Sequence, residues 1–245
     1  MRTVVVGDVH GCLDELRELV ALVGYEQGVD RLIVAGDIVD RGPASPGCVR
    51  YLMEIGAEAV MGNHDNKLLR RWNHLDRANT NPQYVNPMKP SVDQEATIAD
   101  LGTAERLWLT ALPYKIELPE FNAVVVHAGI LPGVPMVRQT KETMMMVRYL
   151  DNQTHKMLSM SFPGFVQPTN SYYWADQYHG SLDVIFGHNV VGLGEMRVWT
   201  NENGGRCFGI DTGCVFGGRM TALVLSAEGN HQQVQVNARR SYSQF

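Results

Sequence analysis

The chain opens on "RTVVVG", apolar at every central position, a pattern that predicts a strand buried on both faces. Apolar residues then recur at helical spacing through "CLDELRELVALVG", with Gly24 as the stop. "RLIVAG" at 31–36 reads as a second buried strand, followed by a polar Gly/Pro loop and a helix from about Pro46 to Gly56. "AEAVMG" at 57–62 is a third strand, and "DNKLLRRWNHL" is a helix. Strand–helix–strand order of this kind predicts a parallel sheet with helices on its faces.

A polar stretch at 77–94, "RANTNPQYVNPMKPSVDQ", interrupts the pattern, and its prolines predict a loop or lid before helical sequence resumes to about Leu112. The second half is richer in strands: "YKIEL", "AVVVHAG", "DVIFGH", "EMRVWT", "RCFGID", "MTALVLS" and "QQVQVNA". Between His127 and Asp183 the periodicity fades, which predicts an insertion over about 131–180. The expected organisation is one layered α/β domain over residues 1–245 with two insertions.

Composition narrows the class. Hydrophobic content of 44% and charged content of 19% describe an ordinary globule, and a net charge of −5 argues against a long nucleic-acid footprint. The four cysteines (Cys12, Cys48, Cys207, Cys214) form no C-x-x-C pair, so a reducing compartment is expected. The first strand leaves no room for a signal peptide, and no apolar run approaches the roughly 20 residues of a membrane span. A cytoplasmic protein is the expectation.

The chemistry gathers at the strand ends. The chain reads "GDVHG" after the first strand, "GDIVDRG" (36–42) after the second and "GNHD" (62–65) after the third; later strands end in "HAG" (127–129) and "GH" (187–188). Ligands of open α/β sheets bind at the carboxyl ends of strands, so these tips are expected to meet in one site. Each motif alone is compatible with a capped histidine or a turn; five such tips are not. Asp8, His10, Asp37, Asn63, His127 and His188 offer only oxygen and nitrogen donors. That set suits two divalent ions, manganese first, with iron, zinc, nickel or cobalt as alternatives. Two ions roughly 3.5–4 Å apart can hold a hydroxide and clamp an in-line phosphoryl displacement. Asp37, central in the series, is the candidate bridge.

These ordered motifs resemble the metallophosphoesterases of the PPP type, in the calcineurin-like superfamily, over residues 7–188. The tail "IDTGCVFGGRMTAL" is similar to symmetrical diadenosine tetraphosphate hydrolases, and closer still to the phosphatase module of bacterial polynucleotide kinase–phosphatases, a second likeness that "WADQYHG" before "VIFGH" strengthens. Asp65 stands where protein phosphatases of this type usually carry Glu. The resemblance implies a four-layer sandwich of two mixed β-sheets flanked by helices. It implies Asp8, His10 and Asp37 on one metal, and Asp37, Asn63, His127 and His188 on the other. It further implies His64 as general acid, oriented by Asp40, and Arg41 as a phosphate clamp, with Asn63 also facing the phosphate. Arg138 and Arg148 are candidates for a further phosphate contact.

Lys67, Arg70, Arg71, Arg77 and Lys89, against Asp76 alone, form either a basic rim or a solvated helix face. "DTGCVFGG" lacks P-loop spacing and reads as tight turns, Cys12 as helix-start packing and the triple Met at 144–146 as core filler. No side chain stands as an activated nucleophile, so direct attack by metal-bound hydroxide is expected. The expected activity is a phosphomonoesterase or phosphodiesterase acting on nucleotide or nucleic-acid-end phosphates. Diadenosine tetraphosphate hydrolysis, protein phosphatase activity and turnover-free binding of phosphorylated partners are the alternatives. Nothing in the sequence addresses oligomeric state.

Overall fold

The computed structural model describes residues 2–158, 166–226 and 230–244. The first half follows its periodicity: β1 (Thr3–Val6), α1 (Leu13–Leu22), β2 (Arg31–Val34), α2 (Ser45–Glu54), β3 (Glu58–Ala59) and α3 (Asn63–Thr80) alternate. β1, β2 and β3 pair in parallel, Val6 opposite Val34 and Val34 opposite Ala59. β3 is shorter than its apolar run. Val60 still donates to Val34, but the next amide, Met61, turns to the Pro113 carbonyl at 2.7 Å and leaves the sheet.

α3 starts two residues before the expected helix, because the Asp65 carboxylate accepts from the Gly62 amide at 3.1 Å and caps the first turn. It also runs on to Thr80, and α4 (Val92–Asp100) begins early, so the irregular stretch shrinks to 81–91. Prolines 82, 87 and 90 keep that remainder out of helix. α5 (Thr103–Thr110) completes the helical layer.

β4 (Lys115–Leu118), β5 (Ala123–Val126), β8 (Asp183–Phe186), β9 (Arg197–Thr200) and β10 (Arg206–Gly209) build a second sheet, in the order β4-β5-β8-β10-β9. β11 (Arg219–Leu225) and β12 (His231–Asn237) return to the first sheet, whose order is β12-β11-β1-β2-β3. Both sheets are mixed: β5, β8 and β10 run parallel while β4 and β9 run antiparallel at the edges.

The two sheets face each other across a dry layer that includes Val5, Ile33, Val125, Ile185, Phe208 and Leu223. Burying each such side chain contributes about 1.5–3 kcal/mol, which makes this layer the platform that fixes one sheet's loops against the other's. α1, α2 and α3 cover the outer face of the first sheet, with Leu16, Leu52 and Leu68 fully buried. The segment at 131–180 covers the second. Its α6 (Lys141–Met146) and the hairpin of β6 (Tyr149–Asp151) and β7 (Ser171–Tyr173) carry Met144, Val147, Tyr173 and neighbouring Trp174 onto Val184 and Phe186. Residues 159–165 of that segment lie outside the described residues. The fold is the expected four-layered α/β sandwich of two mixed sheets flanked by helices. No described helix is long and apolar enough to cross a membrane.

Candidate active site

The carboxyl ends of β1, β2, β3, β5 and β8 all point to one end of the sandwich. Backbone hydrogen bonds lock the loops together: the Val9 and His10 amides both donate to the Asp37 carbonyl, at 3.2 and 2.8 Å, and Gly11 donates to Ile38. Asp65 reaches across to accept from the Ile38 and Val39 amides at 3.0 and 3.2 Å. His188 donates its amide to Asp8 Oδ1 at 2.9 Å, which joins the second sheet to the first.

The glycines at the strand tips answer to this crowding. A Cβ on Gly187 would stand 1.9 Å from Asp8 Oδ1, and one on Gly62 would stand 2.3 Å from Asp37 Oδ1. Neither position tolerates a side chain. Backbone strain concentrates here too: of eight non-glycine residues with positive φ among the described residues, five are His10, Asp37, Asp40, Arg41 and His188. Each such conformation costs on the order of 1–3 kcal/mol and is held only by surrounding structure.

Asp37 occupies the centre. Its Oδ2 lies 3.5 Å from His10 Nε2 and its Oδ1 lies 3.4 Å from His127 Nε2. The other ring nitrogens are fixed by carbonyls, His10 Nδ1 on Val39 at 3.0 Å and His127 Nδ1 on Ala35 at 2.8 Å. Each ring therefore donates from Nδ1 and turns Nε2 toward the site. Against its burial, Asp37 lifts His127 to about 9, so the His127 Nε2 carries a proton that an ion would have to displace. Asn63 Oδ1 stands 3.0 Å from His127 Nε2, and Asp8 Oδ2 stands 3.8 Å from His10 Nε2.

Of three clusters among the described residues with donor atoms close enough for one ion, two lie at the strand tips, His10–Asp37–His64 and Asp37–His127–His188, and share Asp37; the third, Cys12–Glu15–Cys214, includes none of their residues. His64 falls inside the first cluster, but its Nδ1 is already held by Asp40 Oδ2 at 2.8 Å. Only its Nε2 is left to face the site.

The electrostatics call for cations. Burial lifts the Asp8 carboxyl well above the usual range, and Asp211 and Asp37 add like charge; Asp211 is raised as well, by its own burial and by Asp37. Burial also works to raise Asp37, but the charge and hydrogen bond of His127 above all outweigh it and hold that carboxyl well below its ordinary value. Burial pushes His10 down to about 3 and His188 well below its ordinary value, so both rings are neutral, as metal ligands must be. Buried Asp8 and Asp37 beside the neutral imidazoles of His10 and His188, with Asp211 adding negative charge nearby, form a donor set that fits divalent ions.

Arg148 is mostly buried and donates from Nε to His188 Nε2 at 2.9 Å and from Nη2 to the His188 carbonyl at 3.0 Å. His188 Nδ1 is thus the nitrogen available to an ion. Arg41 touches His10 Nε2 at 3.2 Å and lies over the Phe216 ring, without a carboxylate partner among the described residues.

Other expectations separate. Arg138 is exposed in a single helical turn and bonds to no candidate ligand among the described residues. Arg71 leaves the basic rim: it is buried, with Nε on Gln94 Oε1 at 2.6 Å and Nη2 on the Lys89 carbonyl at 2.7 Å. Lys67, Arg70, Arg77 and Lys89 are exposed. Cys12 is buried at the start of α1, and Met144 packs in the outer core as filler. Sequence reasoning missed Asp211, read only as part of a turn, and Gln94, whose Nε2 donates to Asp40 Oδ2 at 2.6 Å.

The sequence pattern of the family described as "Calcineurin-like phosphoesterase" matches residues 1–192, which hold every candidate ligand. This chain belongs to that family. Calcineurin-like phosphoesterases are hydrolases with a dinuclear divalent metal site, in keeping with the two clusters around Asp37. The phosphoesterase is 37% identical to a symmetrical bis(5'-nucleosyl)-tetraphosphatase of Psychromonas ingrahamii, over 54% of this chain but only 45% of that relative. It is 29% identical to the asymmetrical bis(5'-nucleosyl)-tetraphosphatase PrpE of Oceanobacillus iheyensis, over 91% of this chain and 88% of the relative. A solved structure described as a candidate diadenosine tetraphosphatase superposes with a TM-score of 0.72 at 31% identity, covering 96% of this chain and 93% of that one.

Proposed function

We propose that this phosphoesterase is a cytoplasmic, two-metal hydrolase of nucleotide-like phosphates, with dinucleoside tetraphosphates among its substrates. The observation that carries the reading is Asp37, whose two oxygens face His10 on one side and His127 on the other. Asp8, His10 and Asp37 would hold one ion, and Asp37, Asn63, His127 and His188 the other, with manganese the first metal to test. Bound ions supply Lewis acidity toward the phosphoryl oxygens and lower the pKa of a coordinated water.

The remaining roles fall to side chains outside the ligand set. Arg41 and Arg148 grip the phosphoryl oxygens, where a planar fork matches the tetrahedral face. His64, held at Nδ1 by Asp40, presents Nε2–H to the leaving oxygen as general acid. The relatives' names supply the substrate class, and Arg41, a cation with no carboxylate ion pair among the described residues, supports an anionic ligand.

The test is a panel run on manganese-loaded protein and ranked by kcat/KM: diadenosine tetraphosphate, mononucleotides, RNA ends bearing terminal or cyclic phosphate, and a phosphopeptide. A nucleotide preference is expected. Two ADP from the dinucleotide would mark symmetrical cleavage, and AMP with ATP asymmetrical cleavage. A strong preference for the phosphopeptide would overturn the substrate class. No hydrolysis with manganese, nickel, cobalt, zinc or iron would replace the enzyme reading by that of a phosphate-binding protein.

A further inference from the structure

An open cleft of about 630 Å³ begins at Arg41 and runs away from the candidate metal ligands to Tyr242. Small-molecule sites span about 300–1,000 Å³, so this volume far exceeds one phosphate and suits a nucleotide. Its two long walls differ in chemistry.

One wall carries two arginines. Arg41 lies over the Phe216 ring at 5.1 Å, and Arg240 lies over the Tyr242 ring at 5.1 Å. Neither has a carboxylate partner among the described residues, whereas adjacent Arg239 is paired with Asp14 at 2.8 Å. An arginine plane resting on an aromatic ring keeps its N–H edges free for a phosphate. Tyr242 is itself anchored, its hydroxyl donating to buried Glu15 at 2.7 Å, so the wall is fixed to α1.

The other wall is one face of α4. Asp93, Ala96, Thr97 and Asp100 line the cleft at i, i+3, i+4 and i+7 spacing. Asp100 is engaged by Arg50 at 3.3 Å, while Asp93 accepts no hydrogen bond among the described residues. A bare polyphosphate would meet two acids here. A ligand with phosphates on one side and hydrogen-bond donors on the other, such as a base amino group or ribose hydroxyls, meets complementary groups on both. α4 also carries Gln94, which donates to Asp40, and Arg41 follows Asp40 in the chain, so the cleft adjoins the pair that orients His64.

We infer that this cleft binds the nucleoside phosphate that departs from the cleaved bond, its phosphates between Arg41 and Arg240 and its base or ribose against Asp93 and Thr97. The inference rests on the nucleotide reading above, and it names the part of the surface that would select a nucleotide over other phosphates.

The test measures competition against p-nitrophenyl phosphate hydrolysis by ADP and by inorganic phosphate, the latter reading the metal site alone. In the unaltered enzyme ADP should bind about tenfold or more tighter than phosphate, the worth of one or two charge-assisted contacts. Ala96→Trp fills the cleft from an exposed position, and Arg240→Glu reverses its outer charge; each should bring the two inhibition constants to within about twofold, as loss of those contacts requires. Equal constants in the unaltered enzyme, or an ADP preference that survives both changes, would overturn the cleft assignment, as would a phosphoserine peptide competing as well as ADP. Should no phosphate ester be hydrolysed, titration calorimetry of the metal-loaded protein with ADP and with phosphate reads the same ratio. An ADP preference lost in both variants, without dinucleotide turnover, would sustain the cleft while the proposed function fell.

Discussion

Gln94 donates from Nε2 to Asp40 Oδ2 at 2.6 Å, the same oxygen that receives His64 Nδ1 at 2.8 Å. The amide cannot turn over, because Arg71 Nε donates to its Oε1 at 2.6 Å. Arg71 is in turn fixed to the Lys89 carbonyl at 2.7 Å, in the proline-bearing stretch before α4. A chain of hydrogen bonds therefore runs from that loop to the imidazole, and each member fixes the next.

The first prediction follows from this chain. Gln94→Leu should keep metal content and lower kcat on poor leaving groups about tenfold, the cost of one charge-assisted hydrogen bond. p-Nitrophenyl phosphate, whose leaving group needs no proton, should be far less affected. A purely structural loss would depress both substrates equally, which separates a positioning role through Asp40 from a folding defect.

The five strand tips were legible because two signals coincided at each: an apolar run that had to be a strand, and a glycine beside a polar side chain. Gly187 and Gly62 explain the second signal, since Asp8 and Asp37 fill the space a Cβ would need. Gln94 gave no such signal. It is an ordinary polar residue on an amphipathic helix, and its partner Asp40 is 54 positions away. Arg71 misled for the opposite reason. A run of basic residues on α3 reads as a solvated face, yet buried Leu68 and Trp72 flank the position and carry it inward. Asp211 sits in a glycine-bearing turn whose sequence explains itself locally, and only the packing of β10 beside β8 brings it near Asp8.

The pH response of the metal-free protein tests the state of His10. Burial lowers its pKa from 6.5 to about 3. Between those values the unfolded chain takes up a proton that the folded chain refuses, so this residue's contribution falls as pH falls from about 6.5 toward 3. His10→Asn removes the group. With chelator present, the stability difference between the two proteins should shrink by about 1–2 kcal/mol from pH 7 to pH 5, as read from urea midpoints. A difference independent of pH would show that folded His10 takes up the proton.

Metal analysis tests the centre of the site. Asp37→Ala takes away the carboxylate common to both clusters and should cost both ions. His188→Ala removes a donor from one cluster and should weaken mainly one. Two ions retained in Asp37→Ala would refute the bridging role.

The last prediction concerns the leaving oxygen. An alkoxide or phosphate group departs with charge that must be neutralised, and His64 is the imidazole whose Nδ1 is bound to a carboxylate rather than to a backbone carbonyl. Asp40 thereby holds the ring with Nε2 turned to the site, where it can carry the proton delivered to the departing oxygen. His64→Ala should lose about 10²–10⁴ in kcat on poor leaving groups, the usual range for general acid catalysis. It should lose much less on p-nitrophenyl phosphate, and metal content should hold, because the proposed ligands are intact. Asp40→Asn should follow the same pattern more weakly, since the ring stays present but loses the carboxylate that holds its Nδ1 and orients it. Equal losses on both substrates, a fall in metal content with His64→Ala, or a trapped phosphorylated protein would each show that the bond is broken in another way.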